Sequence, residues 1–217
     1  MIKAVIFDFD GLIVDTESIW FDVFQEILQE YGVDLSLETF SKCVGSTDDA
    51  LYEHMEIHAT KPFDRMEIDR EAEKRYQDFV EELVLRNGVL DYLKEAKRLG
   101  IHIGLASSSG MDWVKRYLTR FGILSYFDVM WTGDQVSEVK PDPELYERTI
   151  DSLQLQPEEA VVFEDSGNGL LAARRAGIPC VVVPNRVTRQ ISFEGYALKL
   201  SSMEEKSLRE VLAYLNN

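Results

Sequence analysis

Ala4-Val5-Ile6-Phe7-Asp8-Phe9-Asp10-Gly11 is an apolar run that stops at two carboxylates set two positions apart, followed at once by glycine. Its first four residues have the composition of a buried strand, and a strand that stops at acids presents them at one end of a sheet. Four further runs rich in β-branched and aromatic residues end abruptly in polar residues: Ile101–Ala106, Val129–Trp131, Ala160–Phe163 and Cys180–Val183. Helical patterns separate them. Val89–Leu99 stops at Gly100, Asp112–Phe121 at Gly122 and Gly167–Ala176 at Gly177, while Pro143–Leu153 starts behind Asp142. A last helix, Met203–Leu215, is expected behind Ser202, with Glu205 three residues on. Glycine just past the last apolar residue stops a helix, and proline behind an acidic cap starts one. Strands alternating with helices predict an α/β fold built on a doubly wound, Rossmann-like parallel sheet covered on both faces.

From Thr16 to Arg86 no strand pattern occurs and the apolar spacing becomes helical. Ile19, Trp20, Val23, Phe24, Ile27, Leu28 and Tyr31 form one stripe that ends at Gly32. Further helices are expected over Leu37–Cys43, over Thr47–His58 with Ser46 and Asp49 spaced as a capping box, and over Asp64–Leu85. Residues 16–86 therefore read as an inserted helical cap, and residues 1–15 with 87–217 as the α/β core. Val14–Thr16 and Arg86–Gly88 are the two chain crossings of a hinge.

The 217 residues carry 23 Lys+Arg against 39 Asp+Glu, a net charge of −16. That balance excludes a general nucleic-acid binder, because phosphate-backbone affinity rests on cationic side chains. Only Cys43 and Cys180 occur, too few and too far apart for a disulfide framework or a zinc site. No apolar run approaches the roughly 18 residues of a membrane helix. A soluble cytoplasmic monomer is expected.

Polar clusters follow the strands: Asp8 and Asp10, Ser107-Ser108-Ser109-Gly110, Lys140-Pro141-Asp142-Pro143, and Glu164-Asp165. In an open α/β sheet, ligands bind outside the carboxyl ends of the strands, where all four clusters can converge. Two acidic pairs at one edge repel unless a cation sits between them, and all-oxygen ligands suit Mg²⁺. A calcium loop counted from Asp8 fails, since Ile13 falls at its glycine and Ile19 at its bidentate glutamate. Lys140 and the serine loop offer a fixed positive charge and donors for phosphate oxygens. Metal, cation and donors around carboxylates point to phosphoryl transfer. Gly167-x-Gly169-x-x-Ala172 matches a dinucleotide fingerprint, but the adjacent acids would repel a pyrophosphate and no ribose-binding acid follows the next strand. Trp113, Tyr117 and Phe121, at helical spacing, read as core.

In these residues the chain resembles the haloacid dehalogenase superfamily, specifically its helical-cap phosphatases and β-phosphoglucomutase-like members. The resemblance is ordered: Asp8-Phe9-Asp10-Gly11 with Asp15, then Ser107, then Lys140-Pro141, then Glu164-Asp165-Ser166 leading into Gly167-Asn168-Gly169. It implies that Asp8 is a nucleophile forming an aspartyl-phosphate and that Asp10 protonates the leaving oxygen and later activates water. It implies Mg²⁺ held by Asp8, the Asp10 carbonyl and Asp165 with Glu164 beside it, and a phosphoryl group bound by Ser107, Ser108 and Lys140. It also implies strand order 3-2-1-4-5, and substrate contacts from the cap at Gly45, Ser46 and Asp48. Trp20 reads either as core or as an aromatic lid over the substrate. The substrate so implied is a small phosphorylated metabolite, a sugar or polyol phosphate. A phosphosugar mutase is the alternative enzyme, though the arginine and histidine such mutases carry in the cap are absent here. A receiver-type phosphate-accepting domain, which places its aspartate after the third strand, is the alternative of another class.

Overall fold

The computed structural model describes residues 1–45, 47–79, 81 and 83–216. Its sheet holds β1 (Ala4–Phe7), β2 (His102–Ser107), β3 (Val129–Thr132), β4 (Ala160–Glu164), β5 (Cys180–Val182) and β6 (Leu198–Lys199). All pairings are parallel, in the order β3-β2-β1-β4-β5-β6. The expected five-strand order holds, and β6 extends it by one edge strand. Two residues, one of them a lysine, leave no periodicity from which β6 could be read.

β1 is central and fully buried because it pairs on both sides, Ala4 with His102 of β2 and with Ala160 of β4. Its side chains alternate between faces at period two. Val5 and Phe7 join the cluster beneath α5 (Val89–Leu99), α6 (Met111–Arg120) and α9 (Leu208–Leu215). Ala4 and Ile6 join the one beneath α7 (Glu144–Leu153) and α8 (Gly167–Arg175). Four other helices, α1 (Thr16–Glu30), α2 (Leu37–Phe40), α3 (Asp49–His58) and α4 (Arg65–Phe79), enclose a third apolar cluster that includes Phe24, Leu28, Met55 and Ile68. The Asp15 carboxylate caps α1 by accepting from the Ser18 backbone N–H at 3.1 Å.

Several helix boundaries differ from expectation. α4 is described to Phe79, residues 80 and 82 of the expected helix lie outside the described residues, and its expected end is instead in extended pairing: Leu85 bridges Val14, and the Arg86 N–H donates to the Ile13 carbonyl at 2.9 Å. α2 stops at Phe40 rather than Cys43, and turns follow it to Gly45, whose φ of 75° ends them. α3 starts one residue past Asp48, whose side chain makes no cap bond, and Ser46 of the expected capping box lies outside the described residues. α9 starts behind Ser207, not Ser202. Both serines have a glutamate three residues on, but only Ser207 with Glu210 directly precedes the apolar stripe of Leu208, Val211 and Leu212.

α8 fits against β4 through a close approach at Gly169, where a Cβ would collide with the Glu164 carboxylate. Gly169→Ala should therefore destabilise the protein by about 1–3 kcal/mol, at roughly 2–4 °C of Tm per kcal/mol. Thermal melts of the two proteins test this, and an unchanged Tm would show that Glu164 is not held where described.

Candidate active site

With β1 between β2 and β4, Asp8 at the end of β1 stands next to Ser107 at the end of β2 and Glu164-Asp165 at the end of β4. Lys140, in the loop between β3 and α7, reaches beneath them. It is fully buried, and its ammonium donates to Asp8 Oδ1 at 2.5 Å, to Glu164 Oε1 at 2.8 Å and to the Ala106 carbonyl at 2.8 Å. The Tyr146 ring lies 4.9 Å from its Nζ. Burial works against a charged lysine, but the attraction of Asp8 and Glu164 outweighs it and holds the ammonium above its ordinary pKa. All three protons of Lys140 are thus engaged by protein, so it acts first as the partner of Asp8.

Glu164 is almost saturated by donors. Its Oε1 accepts from Lys140 and from the Tyr146 hydroxyl at 2.6 Å, and its Oε2 from the Asp165 N–H, the Ser166 N–H and the Ser166 hydroxyl. Asp165 differs. Its Oδ2 accepts from Asn185 Nδ2 at 2.7 Å, while its Oδ1 is buried without a hydrogen-bond partner. Asp8, Glu164 and Asp165 offer oxygens within 4.8 Å of one another. Gly11, at φ 78°, closes this cradle, for a Cβ there would strike both Asp165 and Asn185. An orphaned carboxylate oxygen among three buried acids fits a hard divalent cation, which takes oxygen ligands. Arg86 holds the loop from behind, donating to the carbonyls of Gly11, Val183 and Pro184. Burial raises the Asp165 carboxyl well above its ordinary pKa, and Glu164 and Asp8 add to the effect. Asp8 is raised by burial too, against the pull of Lys140.

Asp10 is half-buried and holds three donors. Thr16 Oγ1 and Trp113 Nε1 each donate to Oδ1 at 2.9 Å, and Ser109 Oγ donates to Oδ2 at 2.6 Å. The reading of Trp113 as core is therefore corrected: its indole lies at the site and bonds the acid. Tyr117 is core as expected. The Ser107 hydroxyl, 1% exposed, accepts from the Ser109 N–H and so shapes the loop. The Ser108 hydroxyl donates to the Gly45 carbonyl at 3.0 Å, and Asn168 Nδ2 donates to the Val44 carbonyl at 2.9 Å. Both tie the loop before α3 to the sheet edge.

Above Asp8 and Asp10 lies a cavity of about 410 Å³, walled by the Ser107–Gly110 loop and Trp113 on the sheet side and by α1, α2, α4 and the loop before α3 on the other. Trp20, Gly45 and Asp48 line it; Ser46 lies outside the described residues. Trp20 stacks on Tyr76 with ring centroids 4.2 Å apart. Sequence reasoning missed Glu17 and Asp69 in the lining, and Tyr146, Asn185 and Arg86 behind the acids. Asn185 follows β5 in a Pro-Asn-Arg turn, a strand-end position that could have signalled it. The others carry no local pattern.

A buried cation-balanced acid at the central strand end, a second acid two residues on and an acidic cradle beside them define an enzyme of phosphoric monoester chemistry. Residues 5–183 match the model of the haloacid dehalogenase-like hydrolases, and the chain belongs to that family. It is 44% identical over 218 residues to the YhcW protein of Bacillus subtilis (strain 168), covering 100% of this chain and 99% of that one. It is 33% identical over 218 residues to a phosphorylated carbohydrates phosphatase of Thermotoga maritima, covering 97% and 100%. The solved structure of CbbY from Rhodobacter sphaeroides in complex with phosphate superposes with a TM-score of 0.78 at 31% identity, covering all of both chains.

Because burial raises the Asp8 and Asp165 carboxyls, stability from their proton uptake is present at low pH and lost as pH rises through the elevated folded-state pKa values. A divalent cation bound in the cradle would replace those protons, so its stabilising effect should grow with pH, by up to about 1.4 kcal/mol per pH unit for each proton displaced. Melting with and without cation at about pH 6 and pH 8 measures this. Asp165→Asn should flatten the trend, and a cation effect that fell with pH would contradict the cradle.

Proposed function

We propose that the chain is a Mg²⁺-dependent phosphatase that hydrolyses a small phosphorylated sugar or polyol through an aspartyl-phosphate on Asp8. The observation that carries this reading is the buried Asp8–Lys140–Glu164 arrangement with the open Asp165 oxygen beside it. Asp8, the Asp10 carbonyl and Asp165 would hold the metal, with Glu164 braced behind them. Mg²⁺ bound there would offset the negative charge of the transferring phosphoryl group.

Asp8 Oδ attacks phosphorus in line with the ester oxygen. The Oδ–P bond forms, the P–O bond to the alcohol breaks, and Asp10 gives its proton to the departing oxygen. Asp10, now a base, takes a proton from water, which attacks phosphorus; the Oδ–P bond breaks, releasing phosphate and restoring Asp8. Lys140 holds Asp8 through both steps. The serine loop after β2 supplies the donors nearest the phosphoryl group. Residues 16–86 act as a cap that keeps water from the site while the ester is attacked, with the crossings at Val14–Thr16 and Arg86–Gly88, beside the Val14–Leu85 bridge, as its hinge.

The cap side of the cavity supports an uncharged leaving group. Among its described lining residues are Glu17, Asp48, Asp69 and Glu73, and no Lys or Arg. Burial, then Asp10, Asp48 and Asp8, push the Glu17 carboxyl well above its ordinary pKa, the mark of a crowded acidic pocket. Such walls offer hydrogen-bond partners to hydroxyls and no cationic counter-charge to a second phosphate, which disfavours the mutase alternative. The receiver-type alternative fits poorly, since Asp8 ends the first and central strand rather than the third. The free, buried Cys43 and Cys180 accord with a cytoplasmic location. No helix among the described residues is long and apolar enough to cross a membrane.

Asp8→Asn should lower kcat by more than about 10³-fold, as expected when a nucleophile is lost, with the fold intact by circular dichroism. Near-normal turnover would remove Asp8 from the role. Across a panel of phosphomonoesters assayed with Mg²⁺, kcat/KM for neutral hexose or hexitol monophosphates should exceed that for the matching bisphosphates by at least about tenfold. Equal values would refute the reading of the cavity walls.

A further inference from the structure

Trp113 stands in the first turn of α6, on the sheet side of the cavity, and its two ends do different things. Its indole N–H donates to Asp10 Oδ1. Its ring meets the helices across the cavity, with centroids 5.4 Å from Tyr76 of α4 and 6.4 Å from Trp20 of α1. Behind, it packs edge-on against Tyr117 at 4.9 Å, and Tyr117 lies 6.2 Å from Phe9, the residue between the two acids. An indole is rigid, so its N–H cannot keep its direction if its face is displaced. A phenylalanine would fill nearly the same space and pack on the same rings. What it would lack is the donor to Asp10.

We propose that Trp113 is a positioning residue that ties the setting of the Asp10 carboxylate to the seating of helices α1 and α4 over the cavity. Asp10 Oδ1 receives one donor from each side of the chain crossing, Thr16 from the first residue of α1 and Trp113 from α6. With Ser109 on Oδ2, both oxygens are held. When Tyr76 and Trp20 are seated on the indole, its N–H is aimed and Asp10 faces the cavity in one orientation. When they withdraw, the indole loses two of the faces that fix it and Asp10 loses its orientation. Proton transfer to the leaving oxygen is then assisted only under a seated helical layer, the state in which water is excluded. This rests on the assignment of Asp10 as the proton donor in the phosphatase reading above.

The test uses leaving groups of different need. A sugar alkoxide must be protonated as it departs, whereas p-nitrophenolate leaves with little help, so orientation of the acid matters far more for the first. kcat/KM is the parameter to compare, because it covers the steps up to departure of the leaving group. Trp113→Phe should lower kcat/KM for a hexitol phosphate at least about tenfold more than for p-nitrophenyl phosphate. Tyr76→Leu, which leaves Trp113 in place and does not touch Asp10, should show the same bias, and it carries the test if Trp113→Phe does not fold. Equal losses on both substrates would overturn the proposal and leave Trp113 a packing residue. No loss on either would show that the N–H is dispensable, which also overturns it. Should the unmodified enzyme hydrolyse neither ester with Mg²⁺, the phosphatase reading itself falls and the proposal with it.

Discussion

One buried ammonium group makes this site possible. Asp8, Glu164 and Asp165 crowd their oxygens within 4.8 Å of one another at positions all but closed to water. Without compensation, such a cluster would stay protonated or force the sheet edge apart. Lys140 offsets part of this by bonding two of the three acids directly. Removing one partner of a buried pair typically costs about 3–5 kcal/mol, so these residues stand or fall together. They come from β1, the loop after β3, and the end of β4. The Asp8–Lys140 pair therefore exists only once the central sheet has formed, and its geometry is as rigid as that sheet. The same arrangement leaves Asp165 as the acid with an oxygen to spare, which sets the place proposed for a metal apart from the lysine's.

The cavity divides its labour between two walls. Rigid strand ends hold the acids and the serine loop, where the phosphoryl chemistry needs fixed donors and charge. Helices α1, α2 and α4, with Asp48 before α3, supply carboxylates and aromatic faces on the opposite side. Ser108 and Asn168 fasten the loop before α3 to the sheet side through the backbone carbonyls of Gly45 and Val44. Substrate preference can thus vary through side chains such as Glu17 and Asp48 without disturbing the Lys140 bonds beneath. Trp113 is where the two walls meet, bonding Asp10 on one side and touching the rings of Trp20 and Tyr76 on the other.

Much of this was legible from the chain because strands that end in acids, and helices that begin at a cap and end at glycine, are local signals. Asp8, Ser107, Lys140 and Glu164-Asp165 each follow a strand or open a helix, so position along the sheet could be inferred from order alone. What stayed hidden depended on distance in sequence. Trp113 and Tyr117 have the same spacing as any apolar helix face, and nothing local reveals that one bonds Asp10 while the other packs under Phe9. Tyr146 reaches Glu164 from across α7, and Arg86 reaches three carbonyls from the far chain crossing. β6 and the extended pairing at Leu85 were missed for a related reason: pairing with distant partners, Val181 and Val182 for β6 and Val14 for Leu85, overrode or supplied what local pattern could not.

The central claim is that Asp8 carries the phosphoryl group in a covalent intermediate braced by Lys140. Acid quench of the enzyme during turnover of a phosphorus-labelled sugar phosphate, followed by proteolysis and mass analysis, tests it most directly. The account predicts label on the peptide containing Asp8, formed with Mg²⁺ and discharged when substrate is exhausted. Label on another residue, or steady turnover with no label on protein at any quench time, would contradict it.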